Sequence, residues 1–162
     1  MSHLDVPVFG RGVEREEDAD VFYRRMMLKL KDCGVELPPN ARLLEVGSGS
    51  GTVLNFLKGK GFNIEGVDIK PRSAEVIKAD IAALPYEDES FDCVISKQVF
   101  DNVVYPMQSP AVQKAMLREI GRALKKGGIF YAVGEVLDEP LEGLRRLHDP
   151  SGDYFISVYI KL

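Results

Sequence analysis

Residues 43–52 read Leu43-Leu44-Glu45-Val46-Gly47-Ser48-Gly49-Ser50-Gly51-Thr52. The apolar residues up to Val46 predict a short buried strand, and residues 52–58 predict a helix. The glycine-rich turn between them lets backbone approach a ligand closely with no Cβ in the way. The helix start adds free amide donors. This segment therefore predicts a ligand-binding turn at one edge of an α/β sheet.

The spacing of the three glycines narrows the kind of ligand. A dinucleotide site requires G-x-G-x-x-G, whereas these glycines are spaced G-x-G-x-G and are followed by Thr52. A P-loop requires Gly-Lys-Ser or Gly-Lys-Thr, which does not follow here. The turn therefore favours a ligand without phosphates and weakens the hypothesis of a nicotinamide dehydrogenase.

Strands and helices alternate along the rest of the chain. Helix patterns run over residues 21–33 and from Ser109, a capping serine before Pro110, to Gly127-Gly128. Further strands are predicted over residues 63–68, 75–80, 93–96, 129–133 and 154–160, and a short helix over 140–147. The alternation predicts a mostly parallel sheet covered by helices on both faces.

Two acidic residues follow the second and third predicted strands. Asp68 ends the second strand, and a carboxylate there can accept from both hydroxyls of a ribose. Asp80 ends the third strand and precedes Ile81, so that an acceptor for an adenine amine lies beside an apolar side chain. Since parallel strands end at the same edge, we expect both acids near the glycine turn.

Five motifs follow one another in a fixed order: Glu45-x-Gly47-x-Gly49-x-Gly51, Gly66-Val67-Asp68, Ala79-Asp80-Ile81, residues 84–96, and residues 119–128 before the fifth strand. This order resembles the class I S-adenosylmethionine-dependent methyltransferases, and within them the small type 11 methyltransferase domain. The resemblance covers about residues 40–136. It implies a Rossmann-like three-layer α/β sandwich with a mostly parallel sheet.

The resemblance also implies a cofactor and its binding residues. The cofactor is S-adenosyl-L-methionine, and the product is S-adenosyl-L-homocysteine. The glycine turn would hold its methionine end, Asp68 its ribose, and Asp80 with Ile81 its adenine. The implied cofactor-binding residues are Glu45, Gly47, Ser48, Gly49, Gly51, Asp68, Ile69, Asp80, Ile81, Ser96 and Lys97.

Two features depart from that family. Only residues 69–74 separate Asp68 from the third strand, whereas a parallel crossover normally needs about a dozen residues. We therefore expect a shortened second crossover without its helix. The family also commonly ends in an antiparallel hairpin, and only one strand is predicted after residue 147, so that we expect a reduced C-terminal hairpin.

Methyl transfer to an acceptor depends mainly on alignment, so no single catalytic residue is required. A general base is needed only where the acceptor loses a proton. The candidates after the fourth strand are Asp101, Gln98 and Tyr105, with Asp101 able to orient or deprotonate an acceptor. His148 is a further base, although its polar surroundings predict exposure. No metal site is predicted.

An RNA 2′-O-methyltransferase is a minority interpretation. The short crossover is similar to that class, which relies on a Lys-Asp-Lys-Glu tetrad. Here the fourth strand ends in Ser96 rather than aspartate, and Glu135 stands where a lysine is expected. A second alternative is a cofactor-binding subunit or sensor without catalysis of its own.

Composition places the chain among ordinary globular proteins. It has 162 residues with 21 basic and 25 acidic side chains, giving a net charge of −4 and no basic stripe that would indicate nucleic-acid binding. No apolar run approaches the roughly 18–20 residues that span a bilayer. The two cysteines, Cys33 and Cys93, make no disulfide framework, and we expect a cytoplasmic protein.

The predicted organisation is an N-terminal arm over residues 1–20 and one methyltransferase domain over residues 21–162. The predicted activity is methyl transfer by in-line displacement to a small-molecule or exposed macromolecular acceptor. A terminal strand with no hairpin partner would leave a sheet edge open, and open edges invite pairing. We therefore expect a homodimer or a partner subunit.

Overall fold

The computed structural model describes residues 15–100, 109–135, 137, 140–148 and 156–162. The helices in these ranges are α1 Glu16–Asp32, α2 Thr52–Gly59 and α3 Pro110–Ala123. The strands are β1 Arg42–Val46, β2 Asn63–Asp68, β3 Ile77–Lys78, β4 Phe91–Lys97, β5 Leu124–Val133, β6 Leu144–His148 and β7 Ile156–Lys161. A 3₁₀ turn, Ile81–Ala83, links β3 to the segment before β4.

The seven strands form one sheet in the order β3-β2-β1-β4-β5-β7-β6. The first five strands in this order are parallel, and β7 is antiparallel to both β5 and β6. The order reverses between β1 and β4, because β1 is followed along the chain by β2 on one side and later by β4 on the other. In such sheets ligands bind outside the carboxyl ends of the strands at this reversal.

Helices cover both faces of the sheet. The apolar faces of α1 and α2 pack with the side chains of one sheet face, and an edge-on contact with 5.8 Å between the ring centroids of Phe22 and Tyr131 joins α1 to β5. On the other face, Met116 and Ile120 of α3 and Ile81 of the 3₁₀ turn share one core with Phe130 of β5. The predicted three-layer α/β sandwich with a mostly parallel sheet is confirmed.

The observed first residues of α3 and α1 can be compared with the starts that the sequence predicts. Ser109 caps α3 as predicted, because its hydroxyl accepts a hydrogen bond from the Val112 amide at 3.2 Å and Pro110 takes the first helical position. Helix α1 begins at Glu16, earlier than the predicted Val21. The helix therefore includes residues 16–20, which the sequence pattern assigns to the arm, while residues 1–14 lie outside the described residues.

The shortened second crossover is confirmed. Residues 69–76, all of them described, connect β2 to β3 by turns and bends without a helix. The segment folds back onto the glycine turn, since the Arg72 amide donates to the Gly49 carbonyl at 3.0 Å. The third strand itself is short, with two exposed residues, Ile77 and Lys78.

The prediction for the C-terminal region was wrong in part. Residues 144–148, which overlap the predicted short helix, form β6, and β6 pairs antiparallel with β7. Leu141 and Leu144 are spaced as on a helix face, but Gly143 between them has a φ of +73°, which a right-handed helix does not contain. The hairpin is therefore present as a pair of strands rather than reduced to one.

This hairpin also removes the argument for dimerisation through the last strand. The terminal strand β7 lies between β5 and β6 and is hydrogen-bonded on both sides. The edge strand on this side of the sheet is β6, which carries the exposed Arg145 and Arg146. Charged side chains on an edge oppose pairing with another sheet, so the premise of the predicted homodimer does not hold.

Candidate functional site at the carboxyl ends of the strands

The glycine turn lies between β1 and α2 with all three glycines in the left-handed region. The φ angles are +69° for Gly47, +55° for Gly49 and +79° for Gly51. A Cβ on Gly47 would lie 2.6 Å from the Val99 side chain, and one on Gly49 would lie 3.0 Å from the Arg72 guanidinium. Conformation and space together restrict these positions to glycine.

Glu45 precedes this turn and is buried. Its carboxyl group accepts a hydrogen bond from the Ser48 hydroxyl at 2.5 Å, and the Ser48 amide donates to the Val67 carbonyl at 2.9 Å. Gly66 on β2 makes room for Ser48, because a Cβ there would lie 2.5 Å from the serine hydroxyl. Burial raises the pKa of Glu45 from 4.5 to about 8, although the Ser48 hydrogen bond acts in the opposite direction.

Asp68, at the end of β2, is bound to the glycine turn. Its carboxylate accepts from the Gly49 amide at 2.9 Å and from the Lys70 amide at 2.8 Å, one bond to each oxygen. A carboxylate offers about four acceptor sites, so its orientation is fixed while acceptor capacity remains for a ligand. The next side chain, Ile69, is 56% exposed and gives this edge of the site an apolar surface.

Asp80 and Ile81 follow β3 and divide into a polar and an apolar position. Asp80 caps the 3₁₀ turn by accepting from the Ala82 amide at 2.9 Å, and its side chain is exposed. Ile81 is buried and belongs to the core on the α3 face. A ligand at this position would meet the carboxylate of Asp80, whereas the Ile81 side chain packs into the core and anchors the 3₁₀ turn there.

Ser96 and Lys97 end β4 on opposite faces of the sheet. The Ser96 hydroxyl is fully buried and has no hydrogen-bond partner among the described residues. Burial lowers the pKa of the Lys97 ammonium, while the carboxylates of Asp18 and Glu45 act in the opposite direction. Asp18, in the first turn of α1, thus acts by its charge on one residue of the candidate site.

Of the three catalytic candidates the structure describes one. Gln98 comes directly after β4, is buried, and has a φ of +54°. Asp101 and Tyr105 lie outside the described residues, and so does the side chain of His148. Their roles stay predictions.

Glu135 is a site residue that the sequence pattern does not identify. It follows β5, is buried, and accepts from the amides of Val99 and Phe100 at 2.7 and 2.6 Å. The two hydrogen bonds fix the turn that leaves β4 against the end of β5. A single acid directly after an apolar strand is the available signal, but its partners lie 36 and 35 residues away along the chain.

Strand register brings these groups to one edge. Val46 of β1 is paired with Val67 of β2 and with Ser96 of β4, and Lys97 is paired with Val133 of β5. The residues that follow these positions are the glycine turn, Asp68, Gln98 and the segment up to Glu135. Their polar groups thus meet at the reversal of the strand order, which is where sheets of this kind bind ligands.

The described part of the chain can be compared with the requirements of a metal site and of a membrane-spanning helix. No three His, Cys, Asp or Glu side chains lie there in a group that could hold a metal ion. Within the same part, no helix has the length and apolar character needed to cross a bilayer. Cys93 is buried within β4, which raises its pKa to about 12, and it serves core packing rather than nucleophilic chemistry.

Comparison with known proteins agrees with this architecture. The family model of the methyltransferase domain matches residues 44–132, more than half of the chain. No curated protein matches. The matched range contains the glycine turn, Asp68 and Asp80 and reaches from β1 into β5, but it does not contain the β6–β7 hairpin.

Among solved structures, the PH0226 protein of Pyrococcus horikoshii is 17% identical, with a TM-score of 0.67 over 96% of this chain and 94% of that one. A TehB-like S-adenosylmethionine-dependent methyltransferase of Corynebacterium glutamicum is 18% identical, with a TM-score of 0.58 over 91% of this chain and 100% of that one. A methyltransferase of Methanosarcina mazei is 24% identical, with a TM-score of 0.50 over 59% of this chain and 53% of that one. The chain thus spans about half the length of the last protein and nearly all of the first two, and these likenesses support the fold.

Proposed function

This chain belongs to the methyltransferase domain family, and we propose that it binds S-adenosylmethionine at the carboxyl edge of its sheet and transfers the methyl group to a small-molecule or exposed macromolecular acceptor. The observation that carries the proposal is the hydrogen bond of 2.9 Å between the Gly49 amide and Asp68. It joins the glycine turn and the ribose-type acid into one preformed unit at the reversal of the strand order. We include exposed groups of macromolecules among the acceptors because Ile69 and Asp80 at this edge are exposed.

The residues fit the cofactor in shape and in charge. The turn at Gly47 and Gly49 takes a left-handed backbone that glycine adopts readily, Asp68 would accept from the ribose hydroxyls, and Asp80 from the adenine amine. When bound, S-adenosylmethionine supplies a methyl carbon on a positively charged sulfur. Transfer would join an acceptor lone pair to that carbon and break the carbon–sulfur bond, and the electron pair would remain on sulfur in S-adenosylhomocysteine.

The charge of Glu45 can respond to a cationic ligand. The buried carboxyl of Glu45 holds its proton up to about pH 8 in the free protein. A cation brought beside it would favour the ionised form, because an opposite charge nearby lowers a carboxyl pKa. Glu45 would thus supply negative charge when the cofactor arrives, while Ser48 keeps its carboxyl oriented.

The RNA-methyltransferase alternative loses support from the structure. Where that class is expected to carry a lysine, Glu135 is buried and its carboxylate accepts from two backbone amides. It therefore holds the turn after β4 and does not supply a catalytic cation. No observation favours the alternative of a non-catalytic cofactor-binding subunit, and the single domain over residues 21–162 and the cytoplasmic location stay proposals.

Calorimetric titration with S-adenosylhomocysteine tests the proposal. We expect Asp68→Asn to raise the Kd at least about tenfold, since the neutral amide replaces a charged acceptor and each tenfold is about 1.4 kcal/mol. Asp32→Asn is the matched control, because Asp32 is an exposed aspartate at the far end of α1. Its Kd should equal that of the unsubstituted protein. No heat of binding at millimolar ligand, or equal affinity of the Asp68 variant, would contradict the proposal.

A further inference from the structure

The backbone at Gln98 is held in an unfavourable conformation. Its φ of +54° lies in the left-handed region, which a long side chain rarely occupies outside turns fixed by their surroundings. The residue stands directly after β4 at the candidate site, and its own amide donates to the Val133 carbonyl at 2.9 Å. Strain of this kind persists where neighbouring structure enforces it, and it clusters at functional sites.

The side chain of Gln98 is costly as well. Gln98 is 6% exposed, and its amide nitrogen Nε2 has no hydrogen-bond partner among the described residues. Native proteins pair most buried polar groups, because an unpaired buried donor gives up its hydrogen bonds to water without replacement. Apolar side chains of the same length would avoid this cost.

The surrounding residues are arranged to keep Gln98 in this place. Its side chain lies along Gly134, where a Cβ would be 2.8 Å from the Gln98 Cγ, and Gly134 has a φ of +66°. Glu135 fixes the next two residues by accepting from their amides at 2.7 and 2.6 Å. Gln113 of α3 donates to the Phe100 carbonyl at 3.0 Å and closes the turn from the other side.

The same turn contacts the glycine turn of the proposed cofactor site. Val99 packs on Gly47 so closely that a Cβ there would lie 2.6 Å from the Val99 side chain. Gln98 is therefore at the carboxyl ends of β4 and β5, one residue from the contact with the glycine turn. If the glycine turn holds the methyl donor, as the proposed function has it, this region borders the path of the acceptor.

We infer that Gln98 is a specificity-determining residue, whose Nε2 donates a hydrogen bond to an oxygen or nitrogen lone pair of the methyl acceptor. The inference rests on the proposed function. It assigns the acceptor to molecules with a hydrogen-bond-accepting atom near the methylated one, such as a phenol, a carboxylate or a heteroaromatic ring. A compound whose group next to the methylated atom has no free lone pair would leave the Gln98 donor unpaired, so we expect it to be a poor acceptor.

The first test uses the free protein and needs no acceptor. Gln98→Met keeps length and flexibility but removes the unpaired donor, so we expect the Tm to rise by about 2–4 °C. Gln113→Met is the matched control, because Gln113 is a glutamine buried to a similar degree whose Nε2 is paired with the Phe100 carbonyl. That variant should melt about 2–4 °C lower. A fall for Gln98→Met similar to that of Gln113→Met would show a paired Gln98 amide in the free protein and would overturn the inference.

The second test measures tritiated methyl transfer from S-adenosylmethionine to a panel of phenols, carboxylates, heteroaromatic nitrogen compounds, aliphatic amines and thiols. For an accepted compound we expect Gln98→Met to lower kcat/KM at least about tenfold, mostly through a higher KM. The calorimetric Kd for S-adenosylhomocysteine should stay within about threefold, since Gln98 is assigned to the acceptor. Unchanged kcat/KM would overturn the inference.

The two proposals fail in different ways. Absence of S-adenosylhomocysteine binding by the unsubstituted protein counts against the proposed function. Normal binding together with unaltered transfer by Gln98→Met counts against the role of Gln98 alone. If no compound of the panel is methylated, the melting comparison decides, with a higher Tm for Gln98→Met supporting the inference and a lower Tm overturning it.

Discussion

Glu45 shows how one residue serves binding at the expense of stability. Its carboxyl is buried beside the glycine turn, with Ser48 as its hydrogen-bond donor and Lys97 and Asp68 among the charges that act on it. Burial raises its pKa to about 8 in the folded protein, against 4.5 for the ordinary group. The folded protein therefore holds a proton between these pH values that the unfolded chain releases.

This difference predicts a pH dependence of stability. The contribution of Glu45 is fully present below about pH 4.5 and is lost as the pH rises through about 8. Glu45→Gln cannot titrate, so the Tm difference between variant and unsubstituted protein should grow in favour of the variant from pH 5 to pH 9. From the size of the pKa shift, we expect the difference in the free energy of unfolding between the two proteins to change by an amount on the order of a few kcal/mol over this pH range.

Thermal unfolding of both proteins at several pH values measures this effect. Because the other titrating groups are shared, the difference between the two proteins reports Glu45 together with its effect on the neighbouring Lys97. Parallel pH profiles would mean that the Glu45 carboxyl titrates normally and is not held in a buried, protonated state.

Single-residue roles can be predicted only where the signal is local. The glycine turn and Asp68 are recognisable from their spacing, and the structure brings them within a hydrogen bond of each other. Gln98 is a candidate by its position after the fourth strand, but its strained backbone and the contacts of Glu135 are not recognisable in this way, since they join the ends of β4 and β5. Such contacts depend on tertiary packing, which a spacing pattern along the chain does not contain.

At the scale of elements, the same division appears. The capped start of α3 and the helix-free crossover between β2 and β3 follow from local chemistry and chain length, and both predictions are confirmed. The helix predicted over residues 140–147 is wrong, although Leu141 and Leu144 have the spacing of a helix face. What decides the matter is pairing with β7 and the left-handed Gly143, neither of which the apolar pattern contains.

A pair of glycine substitutions tests the corrected assignment of this element. Gly143 has a φ of +73° and open space where a Cβ would lie, so Gly143→Ala should lower the free energy of unfolding by about 1–2 kcal/mol through backbone strain alone. Gly121, inside α3, also has open space, and Gly121→Ala should raise it by about 0.5–1 kcal/mol. Urea unfolding measures both values.

The outcome separates a strand preceded by a turn from a helix at residues 140–147. In a helix Gly143→Ala would stabilise the protein just as Gly121→Ala does. Opposite signs for the two variants support the β6 assignment, and equal signs would contradict it.

At the scale of the whole molecule, the two ends of the sheet differ in character. The carboxyl end gathers the glycine turn, Asp68, Asp80 and Gln98 at the reversal of the strand order. The amino end has a groove lined by the last turns of α1, where Leu28 is exposed, and by residues that follow α1 and α2, including Gly61 and Phe62. The proposed function assigns the cofactor to the carboxyl end, which the fold and the family both favour.

Mapping of S-adenosylhomocysteine by amide chemical shifts tests this assignment most directly. In the ¹H–¹⁵N spectrum we predict that saturating ligand shifts the amides of Gly49 and Ala82, which donate to Asp68 and Asp80, and leaves those of Gly61 and Phe62 unchanged. An unaltered spectrum at millimolar ligand, or shifts confined to the groove at the amino end, would contradict the assignment of the cofactor to the carboxyl end of the sheet.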